Sequence, residues 1–135
     1  MEKVLKILLI EADELDQIEF KRALDKKGIL YKLKTAKNGE EGLHHLRTDS
    51  NNGFKGGPDL IILDVKTPMM NGVEFLKRFR KNAKWDNIKV FVLANSEHEK
   101  KHFSTLRVSG FIAKPLNFNS PSKDTMSFLI DMLNL

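Results

Sequence analysis

Two kinds of hydrophobic pattern alternate along the chain. Short, nearly unbroken apolar runs occur at Val4-Leu5 with Ile7 to Ile10, at Leu60 to Leu63 and at Val90 to Leu93, with a weaker one at Phe111 to Ala113. Runs this short, rich in Ile, Val and Leu, fit strands covered on both faces of a sheet. Leu30 to Ala36 instead sets Leu30, Lys32 and Lys34 against Tyr31, Leu33 and Thr35, which predicts an edge strand half open to water. Between these runs the apolar residues recur at helical spacing. Leu15, Ile18, Ala23 and Leu24 predict the apolar face of a helix from about Glu14 to Lys27, stopped by Gly28. Gly42, Leu43 and Leu46 mark a second helix after Asn38-Gly39, and Val73, Leu76, Phe79 and Ala83 trace a third. A fourth, around Glu97 to Val108, has the weakest pattern. The last, Ser122 to Leu133, carries Met126, Leu129, Ile130 and Leu133 on one stripe, with Ser120 and Pro121 as start signals.

Five strand–helix pairs in strict alternation predict an α/β fold with a parallel sheet and helices on both of its faces. Right-handed crossovers reduce the possible topologies to a doubly wound sheet. The stretch Thr48 to Pro58, with Asn51-Asn52-Gly53 and Gly56-Gly57-Pro58, reads as a mobile loop before the third strand. With no internal repeat and no linker, residues 1–135 are expected to form a single domain.

Composition agrees with this picture and removes several functions. A chain of 135 residues, 41% hydrophobic and 30% charged, suits one compact domain with a real core. No apolar run approaches the roughly 20 residues that span a bilayer, and no secretory leader opens the chain, so a cytoplasmic location is expected. Cysteine is absent, which excludes disulfides, thiol catalysis and cysteine-ligated zinc. The net charge of +5 raises nucleic acid or an anionic surface as a partner. Lys77, Arg78, Arg80, Lys81 and Lys84 concentrate part of that charge opposite the third apolar stripe. A solvated face explains them most simply, and an acidic protein or nucleic acid is the sharper reading. No DNA-binding module is recognisable, which disfavours nucleic acid. His98-Glu99-Lys100-Lys101-His102 matches the HExxH zinc string, but nothing nominates a third ligand and the flanks are charged, so a chance match on a solvated helix is expected. His44-His45 is expected at the surface.

Open parallel sheets bind ligands beyond the carboxyl ends of their strands. Glu11, Ala12, Asp13, Glu14 and Asp16 follow the first strand here, and Asp64 ends the third. Ala94-Asn95-Ser96 follows the fourth, and Lys114-Pro115 the fifth. Acids and a lysine converging on one sheet edge make a plausible cation and phosphoryl site. Carboxylates suit a hard ion such as Mg²⁺, and a lysine suits a phosphoryl oxygen. Glu11, Asp13, Glu14, Asp16 and Glu19 also read as the acidic opening of a helix, favourable to its dipole.

Three segments in order resemble the receiver domains of two-component response regulators over nearly the whole chain. Ile7 to Glu11 resembles the first strand and its acidic end. Leu60 to Asp64 with Pro68-Met69-Met70-Asn71-Gly72 resembles the phosphoacceptor strand and its loop, and Phe111 to Pro115 the end of the fifth strand. The long loop before the third strand is most similar to small stand-alone receivers of the kind paired with bacterial phytochromes. The resemblance implies a flavodoxin-like (βα)5 fold with strand order 2-1-3-4-5. It makes Asp64 the acceptor of a phosphoryl group from a sensor histidine kinase or phosphotransfer protein. Glu11, Asp64, the backbone carbonyl of Lys66 and possible stand-in Asp13 would bind Mg²⁺. It also implies that Lys114 pairs with the phosphoryl group, that a cis peptide precedes Pro115, and that Phe111 is the switch aromatic. A downstream protein target and a homodimer through the fourth and fifth helices and the last strand belong to the same expectation, as does a signalling rather than a classical enzymatic role.

Two positions depart from the family pattern. The second acid after the first strand is replaced by Ala12, and Asp13 substitutes for it only if the loop bends differently. The hydroxyl residue after the fourth strand is replaced by Ala94. A methyl group offers neither a lone pair to a metal nor a hydrogen bond to a phosphate. Weak Mg²⁺ affinity and slow phosphorylation are therefore expected. The alternative is a degenerate receiver that binds partners without phosphorylation.

Overall fold

In a computed structural model, which describes residues 3–48, 54, 57–116, 121 and 123–133, five strands form one parallel sheet in the order β2-β1-β3-β4-β5. The strands are β1 (Leu5–Ile10), β2 (Tyr31–Ala36), β3 (Leu60–Asp64), β4 (Lys89–Ala94) and β5 (Gly110–Ala113). The helices are α1 (Glu14–Lys26), α2 (Gly39–Thr48), α3 (Gly72–Phe79), α4 (Glu97–Lys100) and α5 (Lys123–Leu133). This is the doubly wound sheet expected from the pattern, in the flavodoxin-like strand order that the resemblance implies. The order reverses at β1, which pairs with β2 on one side and with β3 on the other, Leu9 standing between Thr35 and Ile62.

The alternation of side chains along each strand divides the core into two layers. Ile7, Leu9, Leu60, Ile62, Phe91 and Ile112 pack with Phe20 and Leu24 of α1 and with Phe128 and Met132 of α5. Leu8, Ile10, Ile61, Leu63, Val90 and Val92 face Leu43 and Leu46 of α2 and Phe75, Leu76 and Phe79 of α3. The central strand β3 is buried along its full length, as its unbroken apolar run requires.

Several helix faces differ from the expected ones. On α1, Leu15 and Ile18 are exposed, and the buried residues are Phe20 and Leu24, with Ala23 partly buried beside them. Four-residue spacing puts Phe20 and Leu24 on one arc, and Leu15 and Ile18 fall away from it. On α5 the inward stripe is Thr125, Phe128, Leu129 and Met132, while Met126 is exposed. The side chains of Ile130 and Leu133 lie outside the described residues, as do Asn51 to Gly53, Gly56, Ser120 and Ser122. Helix α3 ends at Phe79, and Ala83 opens a separate 3-10 turn, Ala83–Trp85. Helix α4 is a single turn followed by a 3-10 turn, Lys101–Phe103, so the fourth helix stops well short of Val108. Arg80 does not join the solvated basic face. It lies against the Phe79 ring and donates two hydrogen bonds to the Arg107 carbonyl, at 3.1 and 3.0 Å.

Candidate functional site

The parallel sheet delivers its strand ends to one edge, and three of them bring charge there. Glu11 directly follows β1, Asp64 is the last residue of β3, and Lys114 directly follows β5. The Lys114 backbone is fixed by its N–H donating to the Ala94 carbonyl at 3.0 Å, and a cis peptide joins it to Pro115. Its Nζ then lies 2.9 Å from Glu11 Oε1, 3.2 Å from Asp64 Oδ1 and 3.4 Å from Asp16 Oδ2. A cleft of about 320 Å³ opens beside this group, bordered by Glu11, Asp16, Leu93, Asn95, Lys114 and Leu116.

Glu11 is 2% exposed and Asp64 6%, so the ammonium counters charge that water cannot reach. Burial, and then the neighbouring Asp64 carboxylate, push the Glu11 carboxyl up to about 7, with Lys114 acting in the opposite sense. Burial works against the Lys114 ammonium, but the Glu11 and Asp64 carboxylates outweigh it and hold its pKa above the ordinary lysine value.

Asp16 was not singled out by the sequence pattern, which reads it as one of several helix-opening acids. Its signal lay in the spacing: it precedes Phe20 by four positions and shares the inward arc of α1. Asp13 behaves differently. It is the N-cap of α1, its Oδ1 accepting from Leu15 N at 2.8 Å and Asp16 N at 3.3 Å, and it is not among the carboxylates gathered on Lys114. Ala12 presents only a methyl group, and Ala94 ends β4 as a buried residue with no hydroxyl.

The turn after Asp64 is tightly built. Thr67 Oγ1 donates to the Met70 carbonyl at 2.6 Å, Gly72 N donates to the Val65 carbonyl at 3.0 Å, and Asn71 caps α3 by accepting from Glu74 N at 3.0 Å. A Cβ on Gly72 would stand 2.9 Å from the Asp64 carbonyl oxygen, so only glycine lets α3 start this close to the strand end. The Lys66 side chain is exposed and reaches Glu99 Oε2 at 3.7 Å, while Glu99 Oε1 accepts from Asn95 N at 2.7 Å. Glu99, 7% exposed, thus ties the turns after β3 and β4 together. Phe111 is partly buried, its ring meeting Phe103 edge-on at 6.3 Å.

The zinc string does not form a zinc site. His98 and His102 meet edge to face at 5.4 Å, Glu99 turns to the Asn95 backbone, and no group of three metal-ligating side chains occurs among the described residues. His44 is exposed as expected, whereas His45 is partly buried, with Nε2 3.8 Å from Glu41.

A doubly wound sheet with an acid after β1, an aspartate ending β3 and a Lys-Pro pair after β5 defines a class. The response regulator receiver domain profile matches residues 7–121, and the chain belongs to that family. Receiver domains are signalling domains of two-component systems and generally bind Mg²⁺ at the phosphorylation site. Among solved structures, the chain is similar to a two-component response regulator from Legionella pneumophila, with 33% identity and a TM-score of 0.77, covering 98% of this chain and 100% of that one. It is similar too to the bacteriophytochrome response regulator AtBRR, with 27% identity, a TM-score of 0.81 and coverage of 98% and 93%. Among curated proteins, the probable methanogenesis regulatory protein FilR2 of Methanothrix harundinacea (strain 6Ac) is 25% identical over 83% of this chain and 73% of its own length. The alkaline phosphatase synthesis transcriptional regulatory protein PhoP of Bacillus subtilis (strain 168) is 29% identical over 83% of this chain, which spans only 43% of that protein. Among the described residues, no helix is long and apolar enough to cross a membrane.

Proposed function

We propose that the chain is a cytoplasmic phosphoacceptor receiver in a phosphorelay, acting through partner proteins. The observation that supports this reading best is the gathering of Glu11 and Asp64 on Lys114 Nζ at the sheet edge. An Asp64 carboxylate oxygen attacks the phosphorus of a phosphohistidine presented by a sensor kinase or phosphotransfer protein. The new P–O bond forms as the P–N bond breaks, and the imidazole nitrogen keeps the electron pair. Lys114 has its ammonium already desolvated beside the acceptor, where it can meet charge on the phosphoryl oxygens without reorganising. Asp16 acts as a positioning residue, holding that ammonium from the α1 side.

Two buried carboxylates match the small number with which Mg²⁺ is commonly held, so Glu11 and Asp64 fit the ion, with the Lys66 carbonyl as a further donor. Bound there, Mg²⁺ supplies neutralisation of charge on the transferring phosphoryl group. Affinity is weak, because Ala12 gives no oxygen, Asp13 is committed to its cap, and the ammonium of Lys114 competes for the same carboxylates. Phosphorylation is slow as well, since Ala94 offers the phosphoryl group no hydroxyl.

Incubation with Mg²⁺ and a small phosphodonor or a histidine kinase should add one phosphate to the intact mass, and Asp64→Asn should abolish the gain. Ala12→Asp should strengthen Mg²⁺ binding on the order of tenfold, followed by amide NMR titration. An unchanged mass with both donors refutes the reading. Ala12 and Ala94 then favour the second one, a degenerate receiver whose partner interaction survives Asp64→Ala.

A further inference from the structure

A second concavity, of about 620 Å³, lies on the α3 side of the Asp64 turn and is separate from the cleft beside Lys114. Lys66, Lys77 and His102 line it, and Val65 and Val73 give it an apolar lining. Among the described residues, no carboxylate lines it. Lys77 and His102 are exposed, as are Arg78, Lys81 and Lys84 on and just beyond α3. Glu74 is the only acid in the sequence between Gly72 and Lys84. Lys66 is held by Glu99 at 3.7 Å, so Lys77, with Arg78, Lys81 and Lys84 beyond it, supplies the positive charge beside this partly apolar hollow and attracts anionic partners.

We propose that this groove docks an acidic peptide segment of a partner protein. Ammonium groups set around valine side chains complement a segment in which carboxylates alternate with aliphatic residues, the charges giving steering and the aliphatic groups giving burial. Single-stranded nucleic acid is served by aromatic platforms on which bases stack, and among the described residues the only ring lining the groove is the His102 imidazole. The docking requires no phosphoryl group on Asp64, so its outcome is independent of the phosphoacceptor reading.

The test is fluorescence anisotropy at low salt with a short dye-labelled peptide of alternating glutamate and leucine, run against a lysine–leucine peptide and single-stranded oligothymidylate. The glutamate–leucine peptide should bind, and Lys77→Glu should weaken it about tenfold or more. Lys77→Met, which keeps the aliphatic stem, should give a smaller loss, and Lys26→Glu at the end of α1 should leave affinity within about twofold. Amide NMR shifts on peptide addition should cluster at Thr67, Asn71 and Val73. Absence of peptide binding, an equal loss in Lys26→Glu, or tighter binding of oligothymidylate overturns the proposal.

Discussion

Glu11 takes its acid–base chemistry from its surroundings. Its ordinary pKa of 4.5 is lifted to about 7, so between these values the folded protein holds a proton that the unfolded chain releases. This linkage favours folding in full below pH 4.5 and is lost as the pH rises through about 7. Glu11→Gln removes the titration. The melting temperature of the wild type relative to that variant should therefore fall as the pH is raised from the lower of these values past the upper one; parallel pH profiles would contradict the assignment. The neighbouring acids show how far residue identity alone leads. Asp13 and Asp16 differ by three positions and look interchangeable in the sequence, yet one bonds backbone N–H groups of α1 and the other reaches Lys114. Asp16 remained hidden because it lies inside α1 rather than at a strand end, and only the packing of α1 on the sheet brings it to Lys114.

At the scale of elements, the strands were legible and the helix faces only partly so. Strands buried on both sides are written as short continuous runs of Ile, Leu and Val, which their length and their flanking turn residues separate from buried helix. A helix face must be inferred from spacing, and α1 offers two apolar sets, of which tertiary packing chose Phe20 and Leu24 over Leu15 and Ile18. Helix α4 shrank to one turn because its second half closes as a 3-10 turn, a local geometry that periodicity does not report. The turn from β3 to α3 gives a sharper test. Gly72→Ala forces a methyl group against the Asp64 carbonyl, and should cost about 1–3 kcal/mol in chemical denaturation while displacing the α3 start from Asp64. Stability unchanged within about 0.5 kcal/mol would show that the turn relaxes freely.

For the whole molecule, Lys114 is the point at which β1, β3, β5 and α1 meet electrostatically. Lys114→Met leaves Glu11 and Asp64 buried together without a counter-charge, and should lower the unfolding free energy at about pH 7.5 by about 3 kcal/mol, read from the urea midpoint. The loss should shrink at about pH 5, where Glu11 is protonated, and an equal loss at both values would show that packing rather than charge is involved. The sequence by itself determined the alternation of five strands with helices, and with it the doubly wound sheet, because burial period and turn signals are local properties of the chain. It also marked Glu11, Asp64 and Lys114, since such a sheet must present the residues at its carboxyl strand ends along one open edge. Tertiary structure decided which acids gather on Lys114: the capping of α1 turned Asp13 away, and the docking of α1 on the sheet brought Asp16 in. It also set Lys66, Lys77 and His102 around one groove, because residues far apart in sequence acquire a common surface only when the elements carrying them pack.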